Sequence, residues 1–177
     1  MAAAAQPTVD LLLFGEPDLR RRCRDVAADE DVAPLARTMI AGMEAQSGVG
    51  LAAPQVGDLR RVIVVTDPVA ARPRPRVMVN PVIEEVLGPL EVGEEGCLSF
   101  PDLYLKLARP RGVVARYRGL DGKQQVLRDE GFLARVIQHE VDHLDGILFI
   151  DHLPRWRRWL LGWRLSRLRR PVGEVVA

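Results

Sequence analysis

One pentapeptide constrains this chain more than any other part of it: His139-Glu140-Val141-Asp142-His143. Histidines four apart on a helix stand one turn above each other on one face, so both imidazoles can reach a single divalent ion. Glu140, the next residue along, projects near that face and can reach a water on such an ion. The flanks hold Phe132, Leu133, Val136, Ile137, Val141 and Leu144, which make the helix apolar on several sides and place it in the interior. Buried His, Glu, Asp and His must be satisfied there, and a metal ion with hydrogen-bonded neighbours does so.

Two histidines leave a catalytic site one ligand short. Such a metal takes three protein ligands and keeps a fourth position for water. Thermolysin-like enzymes add a downstream glutamate, and metzincins a third histidine. No histidine stands at the metzincin spacing here; His152, the only later one, is expected to pack or hydrogen-bond locally. The alternative ligand is Cys97, in Glu95-Gly96-Cys97-Leu98-Ser99, although a lone cysteine is usually a small buried hydrophobe. Asp142 and Asp145 could serve as such hydrogen-bonded neighbours of the metal ligands, but are expected to form ion pairs. Cys23 has no comparable setting and reads as structural, with Arg21, Arg22 and Arg24 placed to lower its pKa.

Composition excludes several other classes. A length of 177 residues suits one domain, 1–177. The net charge of +1 rules out a whole-molecule electrostatic nucleic-acid binder, so no DNA partner is expected. Two cysteines without a CxxC pair argue against a disulfide framework or a two-pair zinc ribbon. Charges such as Glu44 and Arg60 interrupt every apolar stretch, so no membrane span is expected. Met1–Pro7 lacks the basic and apolar regions of a secretory signal, and residues 1–8 read as a flexible tail. A cytoplasmic setting follows as an expectation.

The hydrophobic pattern predicts a helix over Val32–Ala45, capped by Asp31 with Pro34 in its first turn. Ser47–Gly57 suits a glycine-rich loop whose backbone approaches something closely. Arg61–Thr66 reads as a strand buried on both faces. Val77–Asn80 and Val82–Val86 read as strands flanking Pro81. Val113–Arg118 and Gln124–Leu127 flank the hairpin signal Asp121-Gly122. The HExxH helix spans Glu130–Leu144, with Asp129 as cap and Gly146 past its end. Strands in the middle and helices early and late predict an α+β fold of mostly antiparallel sheets packed around the HExxH helix, followed by a C-terminal helix.

Three segments together resemble the peptide deformylase family: Gly48-Val49-Gly50-Leu51-Ala52-Ala53-Pro54-Gln55, Glu95-Gly96-Cys97-Leu98-Ser99, and Gln138-His139-Glu140-Val141-Asp142-His143-Leu144-Asp145-Gly146. With the opening Leu13–Arg20, the resemblance reaches to about Leu153. It implies metal ligation by Cys97, His139 and His143, with Fe²⁺ as the usual ion and Ni²⁺, Co²⁺ or Zn²⁺ able to substitute. The donor set alone suits zinc as well as iron. It implies Glu140 as general base, and the Gln55 side-chain amide and the Leu98 backbone N–H as donors to the developing oxyanion. The substrates implied are N-formylmethionyl peptides. Gly48 and Gly50 would let the peptide approach, and Phe132 and Val136, on the His139 face of the helix, would line the methionine pocket. Tyr104 stands where some members carry a substrate-contacting arginine, and Arg135 where others can have an apolar residue.

Arg155–Arg170 holds seven arginines with Trp156, Trp159 and Trp163 in one stripe. The plain expectation is that the stripe docks on the domain with the arginines in solvent. The functional expectation is contact with ribosomal RNA. Two readings of the whole chain compete with the deformylase one: a general HExxH zinc peptidase, and a noncatalytic metal-stabilised binding module.

Overall fold

The computed structural model describes residues 9–168. The expected tail, 1–8, and the last two residues expected in the C-terminal helix, Arg169 and Arg170, lie outside the described residues.

The valine run forms β2 (Val62–Val65), in which every residue is buried. Side-chain alternation explains why: Ile63 and Val65 join Val136, Ile137 and Leu144 in one core, while Val62 and Val64 join Leu35, Met39 and Met43 in another. β2 is thus covered by α1 (Ala33–Ala45) on one face and α2 (Phe132–Leu144) on the other. Five strands form one antiparallel sheet in the order β1 (Gly50–Ala52), β2, β3 (Arg76–Cys97), β4 (Phe100–Arg118) and β5 (Gln124–Asp129). This is the expected α+β arrangement, with the HExxH helix at its centre.

Local chemistry sets where the helices begin and end. Asp129 Oδ1 accepts from the Gly131 and Ala134 N–H groups, both at 2.8 Å, so α2 starts at Phe132, two residues later than the pattern suggests. Asp31 accepts from Ala33 N–H at 2.8 Å in the same way. At the far end of α2, Gly146 takes φ 73°. Ile147 N–H reaches the Asp142 carbonyl at 2.9 Å and Gly146 N–H the His143 carbonyl at 3.1 Å, closing the helix in a Schellman motif.

β3 and β4 are longer than the hydrophobic pattern indicates. β3 runs on through Leu87–Cys97, past Pro89, and after a turn at Leu98-Ser99 β4 runs through Phe100–Gly112, past Pro110, where no strand is predicted. Register shifts at Val79/Val82 and Leu87/Leu90 absorb Pro81 and the Gly88-Pro89 pair, so the missing N–H donors do not break the ladder. The first shift is pinned by Asn80 at φ 49°, whose side chain bonds both the N–H and the carbonyl of Val26 at 2.9 Å.

The basic tail departs from expectation in two ways. Among the described residues it forms two short helices, α3 (Arg155–Leu160) and α4 (Gly162–Leu168), rather than one. Gly162, a poor helix-interior residue, stands at the break. Nor does the tryptophan stripe dock: Trp156, Trp159 and Trp163 are 64%, 79% and 60% exposed. A second stripe takes that role, since Leu165, with Leu161 and Leu168, packs in the core of Phe14, Leu19, Phe100 and Leu107.

Candidate active site

α2 carries His139 and His143 to the end of β3, where Cys97 sits at a register shift opposite Phe100. One candidate ligand atom from each of Cys97, His139 and His143 lies within 4.8 Å of the others. Cys97 Sγ is 3.2 Å from His143 Nε2, and the two imidazole rings meet edge-on at 5.1 Å.

Each histidine is prepared differently. His139 Nδ1 bonds Glu95 Oε2 at 3.0 Å, which leaves Nε2 as the nitrogen for other work. His143 is 1% exposed, and burial, with the neighbouring His139, pushes its pKa well below the usual value. It therefore stays neutral, the form that binds metal. Burial works to raise the Glu95 carboxyl, but hydrogen bonds from His139 and Arg109 outweigh it and hold Glu95 well below the ordinary carboxylate range. Sequence reasoning assigned no role to Glu95 or Arg109. Arg109 grips Glu95 at 2.7 and 3.0 Å and reaches Asp142 at 2.7 Å. The one available signal was Glu95 two residues before Cys97, hence on the same side of a strand.

Glu140 is buried, and burial pushes its carboxyl up to about 7. Gly50 leaves its carboxylate room: a Cβ there would overlap Glu140 and lie 2.8 Å from Val136 Cγ1. Gln55 is oriented by its own loop, since Oε1 accepts from Ala52 N–H at 2.8 Å. That turns Nε2 toward Ser99 Oγ at 3.1 Å and Cys97 Sγ at 3.6 Å. Gly48 is packed against Leu98 Cδ1.

Every site residue that the sequence nominated, except His143, lines one cleft of ≈ 330 Å³, which Tyr104 and Arg135 also line. His143 lies beneath it. The donor chemistry fits a divalent ion: one thiol and two imidazoles converge in a buried place. Two of the three buried side-chain polar atoms lacking a hydrogen-bonding partner among the described residues are here, Glu140 Oε2 and His143 Nδ1. These residues could hold one metal ion.

Asp145 pairs with Arg61 at 2.7 Å, and Asp142 with Arg109 and with His152, whose Nε2 is 2.7 Å away. Cys23 is structural; Arg21, as expected, and Arg61 pull its pKa down, but they do not prevail. Burial dominates and raises the thiol from 9.0 to about 11.

The polypeptide deformylase family model matches residues 9–159. This chain belongs to that family. Peptide deformylase 2 of Gloeobacter violaceus is 44% identical over 151 residues, covering 84% of this chain and 81% of the relative. The peptide deformylase of Endomicrobium trichonymphae is 43% identical over 157 residues, covering 87% and 91%. A peptide deformylase from Synechococcus elongatus, solved in complex with actinonin, superposes with a TM-score of 0.82 at 38% identity, covering 96% of this chain and 95% of that one. The peptide deformylase of Thermus thermophilus gives 0.83 at 40% identity, covering 91% and 97%. The chain is therefore a deformylase-family hydrolase, and the general-peptidase and binding-module readings fall away. Among the described residues no helix is long and apolar enough to cross a membrane.

Proposed function

We propose that this chain removes the formyl group from the N-terminal formylmethionine of newly made polypeptides, with Cys97, His139 and His143 as metal ligands and Glu140 as general base. The observation that carries the assignment is the unpaired, buried Oε2 of Glu140 beside the convergent sulfur and two imidazoles. Ferrous iron is the proposed ion, with nickel, cobalt or zinc able to substitute; when bound, it supplies Lewis-acid activation of water and of the formyl oxygen.

The chain's own groups do the rest. Glu140 takes a proton from the attacking water as its oxygen bonds to the formyl carbon. The Gln55 amide and the Leu98 backbone N–H donate to the formyl oxygen as it gains charge. A preorganised donor of this kind is worth about 3–4 kcal/mol in the transition state. Glu140 then returns the proton to the methionine nitrogen as the C–N bond breaks, releasing formate and a free amine. Phe132 and Val136 receive the methionine side chain, and Gly48 and Gly50 leave room for peptide backbone.

The deciding experiment is formate release from a formyl-Met-Ala-Ser peptide, using protein prepared anaerobically with ferrous or nickel ion. Rapid release by the wild type and near-complete loss in Glu140→Gln are expected. A folded, metal-loaded protein that releases no formate overturns the assignment.

The proposed setting is the cytoplasm, with ribosomal RNA as a partner of the tail. Three exposed tryptophans interleave with Arg155, Arg157, Arg158, Arg164 and Arg167, and the guanidinium of Arg167 lies 4.8 Å from the Trp163 ring. Arginine on phosphate and aromatic stacking on unpaired bases both suit RNA. Salt-dependent co-sedimentation with ribosomes should be lost on truncation before Pro154; equal binding by both forms overturns this partner.

A further inference from the structure

Arg135 lies one helical turn before His139 on α2, and the proposed chemistry gives it no task. Its side chain is nonetheless almost wholly committed. Nη1 donates to Glu95 Oε1 at 2.8 Å and to the Leu107 carbonyl at 3.2 Å, and Nη2 donates to the Glu91 carbonyl at 2.7 Å. The guanidinium lies against Gly93, where a Cβ would stand 2.8 Å from its carbon. Only 15% of the side chain is exposed, at the wall of the cleft.

Glu95 is the point where these contacts meet. Its Oε1 receives Arg109 Nε at 2.7 Å and Arg135 Nη1 at 2.8 Å, and its Oε2 receives Arg109 Nη2 at 3.0 Å and His139 Nδ1 at 3.0 Å. Four donors on two oxygens fill the carboxylate, so its plane has no freedom to turn. The orientation of that plane sets the direction of the His139 ring. Arg109 approaches from β4, Arg135 from the helix that also carries His139. Arg135 thus ties the histidine's partner back to the histidine's own helix, and bonds the β3 and β4 backbones at the same time.

We propose that Arg135 is a positioning residue for the metal centre: through Glu95 it fixes the His139 ring in the direction that completes the Cys97–His139–His143 set. The inference rests on those three residues binding a metal. A partner bonded directly to a ligand, as Glu95 is to His139, changes metal affinity by about 10–100-fold when lost; Arg135 stands one bond further out, so its loss belongs at the lower end of that range. Its role is distinct from that of a surface ion pair, because Glu95 is 6% exposed and its partners are desolvated.

The test uses the full chain loaded with Co²⁺, whose visible absorption reports ligand geometry, together with chelator competition for affinity and steady-state kinetics on a formylated peptide. For Arg135→Met the expected result is a metal dissociation constant raised about tenfold, an altered cobalt spectrum, and a lowered kcat with KM little changed. Arg135→Lys, which returns one donor to Glu95 but not the fork to the two carbonyls, should recover most of the affinity. A purely structural role would lower thermal stability and leave the spectrum and the dissociation constant alone, and that result overturns the proposal. Should Arg135→Met not fold, Gly93→Ala keeps both charges and only displaces the guanidinium. A smaller loss of affinity in the same direction supports the proposal, and wild-type affinity overturns it. Wild-type protein that binds no cobalt overturns the metal centre itself, a failure visible before any variant is compared.

Discussion

Gly50 and Glu140 share one space: the edge strand and the metal-site helix approach so closely that a methyl group on Gly50 would overlap the Glu140 carboxylate. In the proposed mechanism Glu140 takes a proton from the attacking water, and a displaced carboxylate would be out of place for that step. Gly50→Ala is therefore expected to lower kcat by about 100-fold, the usual cost of a misplacement near 1 Å, while metal content stays at the wild-type level. Gly48→Ala meets the far end of the Leu98 side chain at 2.9 Å and Met43 Cγ and its carbonyl at 3.3 Å, none of them the Glu140 carboxylate, and should lose far less. Formate release and metal analysis on the two variants test the pair; equal losses would break the argument.

Gln55 holds its position through Ala52 and donates through its amide nitrogen, so its two ends can be separated. Gln55→Glu keeps an acceptor for Ala52 N–H but removes the donor. It should cost roughly 10²–10³ in kcat with little change in melting temperature. Gln55→Ala should show the same kinetic loss and in addition lose about 1–3 kcal/mol of stability, because a buried N–H is left unpaired. Urea denaturation beside the kinetics distinguishes the two.

Asp129 caps α2 through two backbone N–H groups from outside the helix. Asp129→Ala should cost about 1 kcal/mol, read as a lower urea midpoint at unchanged slope. Activity at room temperature should persist if the remaining stability keeps the helix folded.

Cys23 gives the chain an alkaline weakness. Its folded thiol titrates at about 11 against 9.0 for the ordinary value, because burial opposes the thiolate. The folded state therefore holds a proton that the unfolded state releases first. That contribution is whole below pH 9 and is lost as pH rises from 9 to 11. Thermal melts across this range should fall more steeply for the wild type than for Cys23→Ala. Parallel curves would show that the thiol plays no part.

The residues that were legible in the sequence are those whose chemistry is local. The histidine pair, its apolar flanks and the capping Asp129 all act within a few residues, and β2 announced its two buried faces by an unbroken apolar run. Glu95 and Arg109 were not legible, because their meeting depends on the register of β3 against β4, fourteen residues apart in sequence. The long arms of those strands were hidden by Gly88, Pro89 and Pro110, which read as breaks, yet the ladder resumes after a register shift at the first two and includes the third, opposite Leu90. In the tail, two apolar stripes compete for the same docking surface. The tryptophan stripe was the one read from the sequence, and only the core built by Phe14, Leu19 and Phe100 determines that Leu165, with Leu161 and Leu168, packs instead.

β1 is three residues long and stands at the end of the sheet, directly beside the cleft. An open strand edge invites any extended chain, another copy of the same protein included. Three residues offer too few ladder bonds to hold a neighbour by backbone alone, so lasting occupancy depends on what the adjoining cleft can grip. The same shortness that makes the edge a poor template for aggregation leaves it clear for each new chain and ready to let go of the last.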